Sequence, residues 1–197
     1  MKTFLWILFI FFAIAIGLYP FAYLLSDMKY GLLATKSAAL LQNVIWSGAF
    51  KMHIFLGAVA MLTGWSQFSK KIRNKNLNLH RTLGKIYLAA VLLSGSAGLY
   101  LAFFATGGAI ASFGFGGLAV SWLTTSAMAY QSIRGRDIDA HEKWMIRSYA
   151  LCFAAVTLRI WLPLFQFALG MEFNAAYRII AWLCWVPNLI VAEWIIA

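Results

Sequence analysis

Acidic residues, prolines and cysteines are scarce in this chain. Of its 197 residues, 6 are Asp or Glu, 3 are Pro and 2 are Cys. Both cysteines, Cys152 and Cys184, lie inside apolar runs without metal-ligand spacing, which excludes a disulfide framework and a cysteine metal centre. Charged residues make up 11% of the chain, against roughly 25% in a soluble domain. Water is therefore not the main solvent in which this chain folds.

Motifs for hydrolysis and phosphoryl transfer are also missing. The sequence has no nucleotide-binding loop, no HExxH zinc motif, no paired carboxylates within a helix and no serine nucleophile elbow. The 16 Lys and Arg residues outnumber the acids, but they lie between apolar runs. In that arrangement they are topology signals, and nucleic acid is not a predicted partner.

Long apolar runs dominate what remains. Hydrophobic residues make up 63% of the chain and its mean hydropathy is +0.79. Since one helical crossing of a bilayer needs about 20 apolar residues, the length allows six crossings in a single polytopic domain spanning 1–197. The sequence thus predicts an all-α integral membrane bundle whose main partner is the lipid bilayer. Its six helices are predicted at roughly 4–25, 49–68, 83–104, 113–133, 141–169 and 175–196.

The first apolar run is expected to stay as a helix. It is too long for the core of a signal peptide, and Ser26, Asp27 and Met28 follow it instead of a cleavage site built from small residues. The longest connection, 26–48, contains Trp46 near its end. Either a short interfacial helix or a plain loop fits this segment.

The distribution of cations predicts the orientation, because cytoplasmic loops are enriched in Lys and Arg. Eleven cations fall on one side of the predicted bundle. Lys29, Lys36, Lys51 and Arg178 fall on the other, with Arg159 inside the fifth helix. Both termini are therefore predicted to be cytoplasmic. The eleven cations are Lys2, Lys70, Lys71, Arg73, Lys75, Arg81, Lys85, Arg134, Arg136, Lys143 and Arg147.

Two histidines are predicted at matching depth, His80 just before the third helix and His141 at the start of the fifth. Two imidazoles on different helices are what bis-histidine ligation of haem b requires, and a metal ion is the other candidate. Arg81 and Arg147 are close enough in sequence to meet haem propionates, and Tyr87 shares the helical face of His80. The same residues also suit lipid phosphates.

Arg159 lies five helical turns beyond His141 on the same predicted face, about 27 Å along the axis. An arginine at this depth is costly unless it snorkels to the headgroups or has a partner, so it is a functional-site candidate. His53, near the outer end of the second helix, is expected at similar depth. His53, Arg159 and Gln166 are therefore predicted to line an outer pocket for an anion or a quinone-like ligand.

Three segments carry distinctive motifs: HIFLGAVAMLTGWSQF from His53, LHRTLGKIY from Leu79, and DAHEKWMIRSYALCFAAVTLRIWLP from Asp139. Together they resemble a bacterial membrane family called domain of unknown function 2306. The resemblance covers about 53–163 and implies a multi-pass protein of the bacterial inner membrane. It implies signature positions but no role for them. These are His53, His80, Arg81, Gly84, Tyr87, His141, Trp144, Met145, Arg147 and Arg159.

The architecture is also similar, more loosely, to cytochrome b561 and ferric-reductase bundles, which hold haem between helices. Those bundles use four histidines in two pairs, whereas this chain has 3 histidines, so one bis-histidine site is the most it can form. Three functions stay open at this point. The first is a haem-binding or electron-transfer protein, the second a module that binds or transports a small anion or quinone, and the third an accessory subunit of a larger membrane complex.

Overall fold

The computed structural model describes residues 2–24 and 31–197, and every regular element in these ranges is helical. The predicted end of the first helix at position 25, the residues 26–28 and Lys29 lie outside the described residues. Ten α-helices are described, joined by 3₁₀ and π-helical turns. They are α1 (Lys2–Leu18), α2 (Ala38–Gln42), α3 (Val44–Gly64), α4 (Lys70–Lys75), α5 (Leu77–Ala102), α6 (Ala109–Arg134), α7 (Ile138–Cys152), α8 (Ala154–Pro163), α9 (Phe173–Leu183) and α10 (Val186–Ile196).

Long helical segments make up most of the bundle, and this confirms the predicted all-α membrane fold. Five of them in the described ranges are long and apolar enough to cross a membrane: Thr3–Ala22, Val44–Phe68, Leu77–Ala102, Ile138–Ala168 and Phe173–Ile196. The remaining predicted crossing, at 113–133, corresponds to α6. This helix has 26 residues, but its hydropathy is too low for a candidate membrane span. Its glycine, serine and threonine residues lower the hydropathy, and such residues are common where membrane helices pack closely.

Two helices, α3 and α5, begin five or six residues before their predicted starts at 49 and 83. The side chain of Asn43 accepts a hydrogen bond from the Trp46 amide and caps α3, so this helix starts at Val44 and not near 49. Asn76 caps α5 in the same way, by accepting from the Leu79 amide. As a result, His80 lies inside the first turn of α5 and not before it. His53 likewise lies well inside α3 and not near its outer end.

Two crossings are interrupted where the sequence predicts continuous helices. The break between α7 and α8 falls at Phe153, and the break between α9 and α10 precedes Pro187. The Asn188 side chain links the two breaks, because its Nδ2 donates to Ala150 O at 3.1 Å and to Cys184 O at 3.0 Å. Carbonyl groups left free at such breaks must find partners inside a membrane, and Asn188 supplies one to each.

The buried core lies where α3, α5, α6 and α7 meet. α3 packs along α5, α5 packs against α6, and α6 packs against α7 and α9. Tyr87, Met61 and Tyr149 are among the largest fully buried side chains. The Tyr149 ring occupies the space beside Gly64, where an added Cβ would lie only 2.3 Å from the ring. Glycine at this position thus permits the close contact between α3 and α7.

The bundle has two ends with different polar contacts. At one end, Arg73 of α4 forms a salt bridge with Glu142 of α7, which brings the two cation-rich connections together. At the other end, Arg178 Nε donates to Gly107 O at 2.9 Å, joining the start of α9 to the connection after α5. α6 runs from the second end to the first, so it traverses the bundle in spite of its lower hydropathy.

Candidate functional site

A cavity of about 240 Å³ opens between α1, α3, α5, α6 and α8. Its walls are mostly apolar, with side chains such as Phe50, Met61 and Leu118. Three residues that carry or can acquire positive charge also line it, Lys36, His53 and Arg159, and none of the described lining residues is acidic. The remaining polar lining groups include Ser94, Thr106 and the indoles of Trp46 and Trp122.

His53 projects from α3 toward α5, where its ring is held by the backbone. Nδ1 lies 2.9 Å from Ser94 O, and Ser94 Oγ donates in return to His53 O at 2.9 Å. Space for the ring comes from Gly98, since a Cβ added there would lie 2.9 Å from His53 Nδ1. These contacts position the imidazole against the cavity.

Arg159 comes from α8 and lines the same cavity. Its Nη1 donates to Ala155 O at 2.8 Å, and its guanidinium lies 4.5 Å from the centroid of the Tyr19 ring. It is also close enough to His53 for an electrostatic interaction between the two side chains. The chain thereby brings a permanent positive charge and an imidazole to one apolar chamber.

Gln166 lies elsewhere. It belongs to the π-helical turn Leu164–Ala168 that follows Pro163, and it is not among the described residues lining the cavity. The extra residue in this turn changes the face on which Gln166 projects, which a regular helical period does not anticipate.

Lys36 is a cavity residue that the sequence analysis counted only as an outer cation. Its Nζ donates to Phe104 O at 2.5 Å and to Thr106 Oγ1 at 2.8 Å, and Thr35 Oγ1 lies 2.8 Å from the same threonine oxygen. Leu33 beside it is 2% exposed and packs with Trp46 and Phe50. The segment before α3 therefore covers the cavity. Local sequence patterns do not predict this cover, because Lys36 and Thr106 are 70 positions apart in the chain.

The pair His80 and His141 lies at the opposite end of the bundle. The two side chains are close enough to interact electrostatically, with Arg73 and Glu142 nearby. His141 Nδ1 lies 2.8 Å from Ala129 O, and His80 Nδ1 is buried without a hydrogen-bond partner in the described chain. No group of three or more His, Cys, Asp or Glu side chains in the described ranges could hold a metal ion.

The arginines predicted beside this pair have other surroundings. Arg147 forms a bidentate ion pair with Glu193 of α10, with N···O distances of 2.6 and 2.7 Å, and its guanidinium stacks on Trp144. It is therefore already neutralised, and the prediction that it meets haem propionates is not supported. Arg81 is exposed on α5.

Tyr87 is fully buried in a hydroxyl cluster and not at the end of the bundle. Its hydroxyl lies 2.6 Å from Ser148 Oγ, which in turn lies 2.7 Å from Ser126 Oγ. Trp122 Nε1 donates to Tyr87 at 3.4 Å and also lines the cavity. Ser148 shares a helical face with His141 and Arg159, and Tyr87 shares one with His80, so helical periodicity is the sequence signal for this cluster.

Comparison with known proteins identifies the family of this chain. A family model described as "Predicted membrane protein (DUF2306)" matches residues 50–196. The chain belongs to this family. The match covers about three quarters of the chain and includes His53, His80, His141 and Arg159. No curated protein and no solved structure matches the chain.

The DUF2306 match divides the cavity into two parts. His53, Ser94 and Arg159 lie inside the matched region, whereas Lys36, Trp46 and the residues from α1 precede it. The family region thus supplies the inner polar wall. The cover comes from the part of the chain before residue 50.

Proposed function

We propose that this DUF2306 protein is a membrane-embedded binding module for a small, mostly apolar molecule with an oxygen-bearing head, such as a carboxylate or a quinone. The observation that carries this proposal is the cavity of about 240 Å³, which has apolar walls, His53 and Arg159 at one side and no acidic side chain among its described lining residues. Small-molecule sites combine a mostly apolar concave surface with a few polar groups that orient the ligand.

Electrostatics favour a ligand that brings negative or partially negative oxygen. Arg159 remains charged at all physiological pH values, and Lys36 adds a second cation at the cover. A charge held in apolar surroundings is stabilised when a ligand oxygen accepts hydrogen bonds from it. A cationic ligand would meet like charge on both sides of the chamber.

Binding of two probes, decylubiquinone and dodecanoate, tests the proposal on the purified full-length protein in detergent. Arg159→Gln removes the charge, and we expect at least a tenfold loss of affinity for any probe that the wild type binds, since hydrogen bonds to charged groups contribute about 1.5–3 kcal/mol. Arg81→Gln, an exposed arginine at the other end, is the matched control and should leave affinity unchanged. Equal affinity of the Arg159 and Arg81 variants would reject the cavity as the binding site.

A second candidate function is haem b ligation by His80 and His141. It is favoured by the contact of His141 Nδ1 with Ala129 O, because a ring that donates through Nδ1 leaves Nε2 free to bind iron. A reduced-minus-oxidised absorption spectrum of the purified protein would show a b-type band that His141→Ala abolishes. Absence of the band after expression with added haem precursor would reject this candidate.

A further inference from the structure

The tautomer of His53 decides whether its second ring nitrogen, Nε2, donates or accepts a hydrogen bond. Nδ1 lies 2.9 Å from Ser94 O, and a carbonyl oxygen only accepts hydrogen bonds, so Nδ1 carries the proton. In the neutral ring Nε2 then has a lone pair and no proton. His53 therefore offers a hydrogen-bond acceptor at Nε2.

The fold keeps this nitrogen in place. Ser94 Oγ donates to His53 O, so α3 and α5 are joined by hydrogen bonds in both directions at this level. Gly98, one helical turn beyond Ser94, lets the ring pack this closely against α5, since a Cβ there would lie 2.9 Å from Nδ1. The imidazole is thus oriented before any ligand binds, which lowers the entropy cost of binding.

His53 lines the cavity, and its second ring nitrogen, Nε2, has no hydrogen-bond partner among the described residues. The His53 side chain is half-buried, and it borders the cavity. No residue in the described ranges forms a hydrogen bond with its Nε2. An acceptor that is oriented by the fold and open to an apolar chamber is suited to a hydroxyl group on the occupant.

We infer that the ligand of this cavity carries a hydroxyl group that donates a hydrogen bond to His53 Nε2. The inference rests on the proposed function and narrows its ligand class to apolar molecules with a hydroxylated head, a hydroquinone or a long-chain alcohol. The positive charge of Arg159 in the same chamber suits the oxygen of that head. The reduced form of a quinone should accordingly bind more tightly than the oxidised form.

Two matched probe pairs isolate the hydroxyl group. Decylubiquinol and decylubiquinone share one carbon skeleton, and so do 1-dodecanol and its methyl ether. With the wild-type protein kept anaerobic, we expect each hydroxylated probe that binds to do so about three- to tenfold more tightly than its partner. A preference within the first pair alone indicates a quinol, and one within the second pair alone a lipid alcohol. Equal affinities within both pairs would overturn the inference.

His53→Asn is the deciding variant. The asparagine Nδ2 can take the place of the imidazole Nδ1 and donate to Ser94 O, but nothing replaces Nε2. We expect the preference for the hydroxylated probe to disappear while the oxidised probe still binds. A preference that persists in this variant would place the acceptor elsewhere and overturn the inference.

Gly98→Ala provides a second variant that retains His53. The added methyl displaces the ring and should reduce the same preference, whereas Gly48→Ala on α3, with no atom within 4 Å of the added Cβ, should retain it. If the wild type binds no probe, the proposed function itself fails. If it binds both members of a pair equally, only the inference fails.

Discussion

Backbone carbonyl groups contact the three basic side chains that line the cavity. His53 contacts Ser94 O, Arg159 contacts Ala155 O and Lys36 contacts Phe104 O. Carbonyl oxygens carry no net charge, so these contacts orient the side chains without neutralising them. Arg147, at the other end of the bundle, instead donates to a carboxylate, that of Glu193.

Lys36 should make stability depend on pH, because burial lowers its pKa below the ordinary lysine value of about 10.4. Between the lowered pKa of the folded state and that value, the unfolded chain binds more protons, so the free energy of unfolding rises with pH. Lys36→Met should remove this rise. Thermal unfolding in detergent across the alkaline range below pH 10.4 measures it, with the exposed Lys51→Met as control. Identical pH profiles for the wild type and Lys36→Met would contradict the prediction.

Sequence reasoning reached some of these residues and missed others for a physical reason. His53 and Arg159 stand out because polar groups are costly inside long apolar runs. Ser94 and Gly98 are ordinary packing residues by composition, and their role depends on which face of α5 meets α3. Arg147 looked free because its partner, Glu193, is 46 positions away.

Among the helices, the number of long segments followed from the apolar runs, whereas their ends depended on caps. Asn43 and Asn76 cap α3 and α5, which therefore start five and six residues before the predicted positions 49 and 83. The breaks at Phe153 and before Pro187 also lie within apolar sequence. Their stability depends on Asn188, whose tertiary contacts no local pattern predicts.

Close helix packing gives a prediction for α6. A Cβ added at Gly114 would lie 2.8 Å from both the Cβ and the carbonyl oxygen of Ala181, so α6 and α9 would have to separate. Gly114→Ala should destabilise the bundle by about 1–3 kcal/mol, the usual range for overpacking. Gly116→Ala is a matched control on the same helix, because its added Cβ would meet only Ala102, at 3.9 Å. Comparable thermal stability of the two variants in detergent would show that α6 does not pack on α9 in this way.

On the scale of the whole molecule, the bundle separates two polar regions. The cavity with Lys36, His53 and Arg159 belongs to one half, and the His80–His141 pair with the Arg73–Glu142 salt bridge belongs to the other. The buried hydroxyl cluster around Tyr87 and Ser148 lies between them. A ligand that enters the cavity is therefore held away from the cation-rich end.

The sequence assigns eleven Lys and Arg residues to the cation-rich side of the predicted bundle and four to the other, so the cation-rich end is predicted to face the cytoplasm. α5 has 26 residues and spans about 39 Å, so Lys75 before it and the Gly107 region after it lie on opposite sides of a bilayer. Asn174, exposed at the start of α9, belongs to the Gly107 end because Arg178 joins the two.

Labelling of single cysteines tests this orientation in intact cells. Both native cysteines are buried, so background labelling should be low. Asn174→Cys should react with a membrane-impermeant thiol reagent added outside, whereas Lys75→Cys should react only after the inner membrane is permeabilised. The reverse pattern would invert the orientation. Reaction of both from the same side would contradict the bilayer crossing by α5, because one straight helix of this length cannot place its two ends on one face of the membrane.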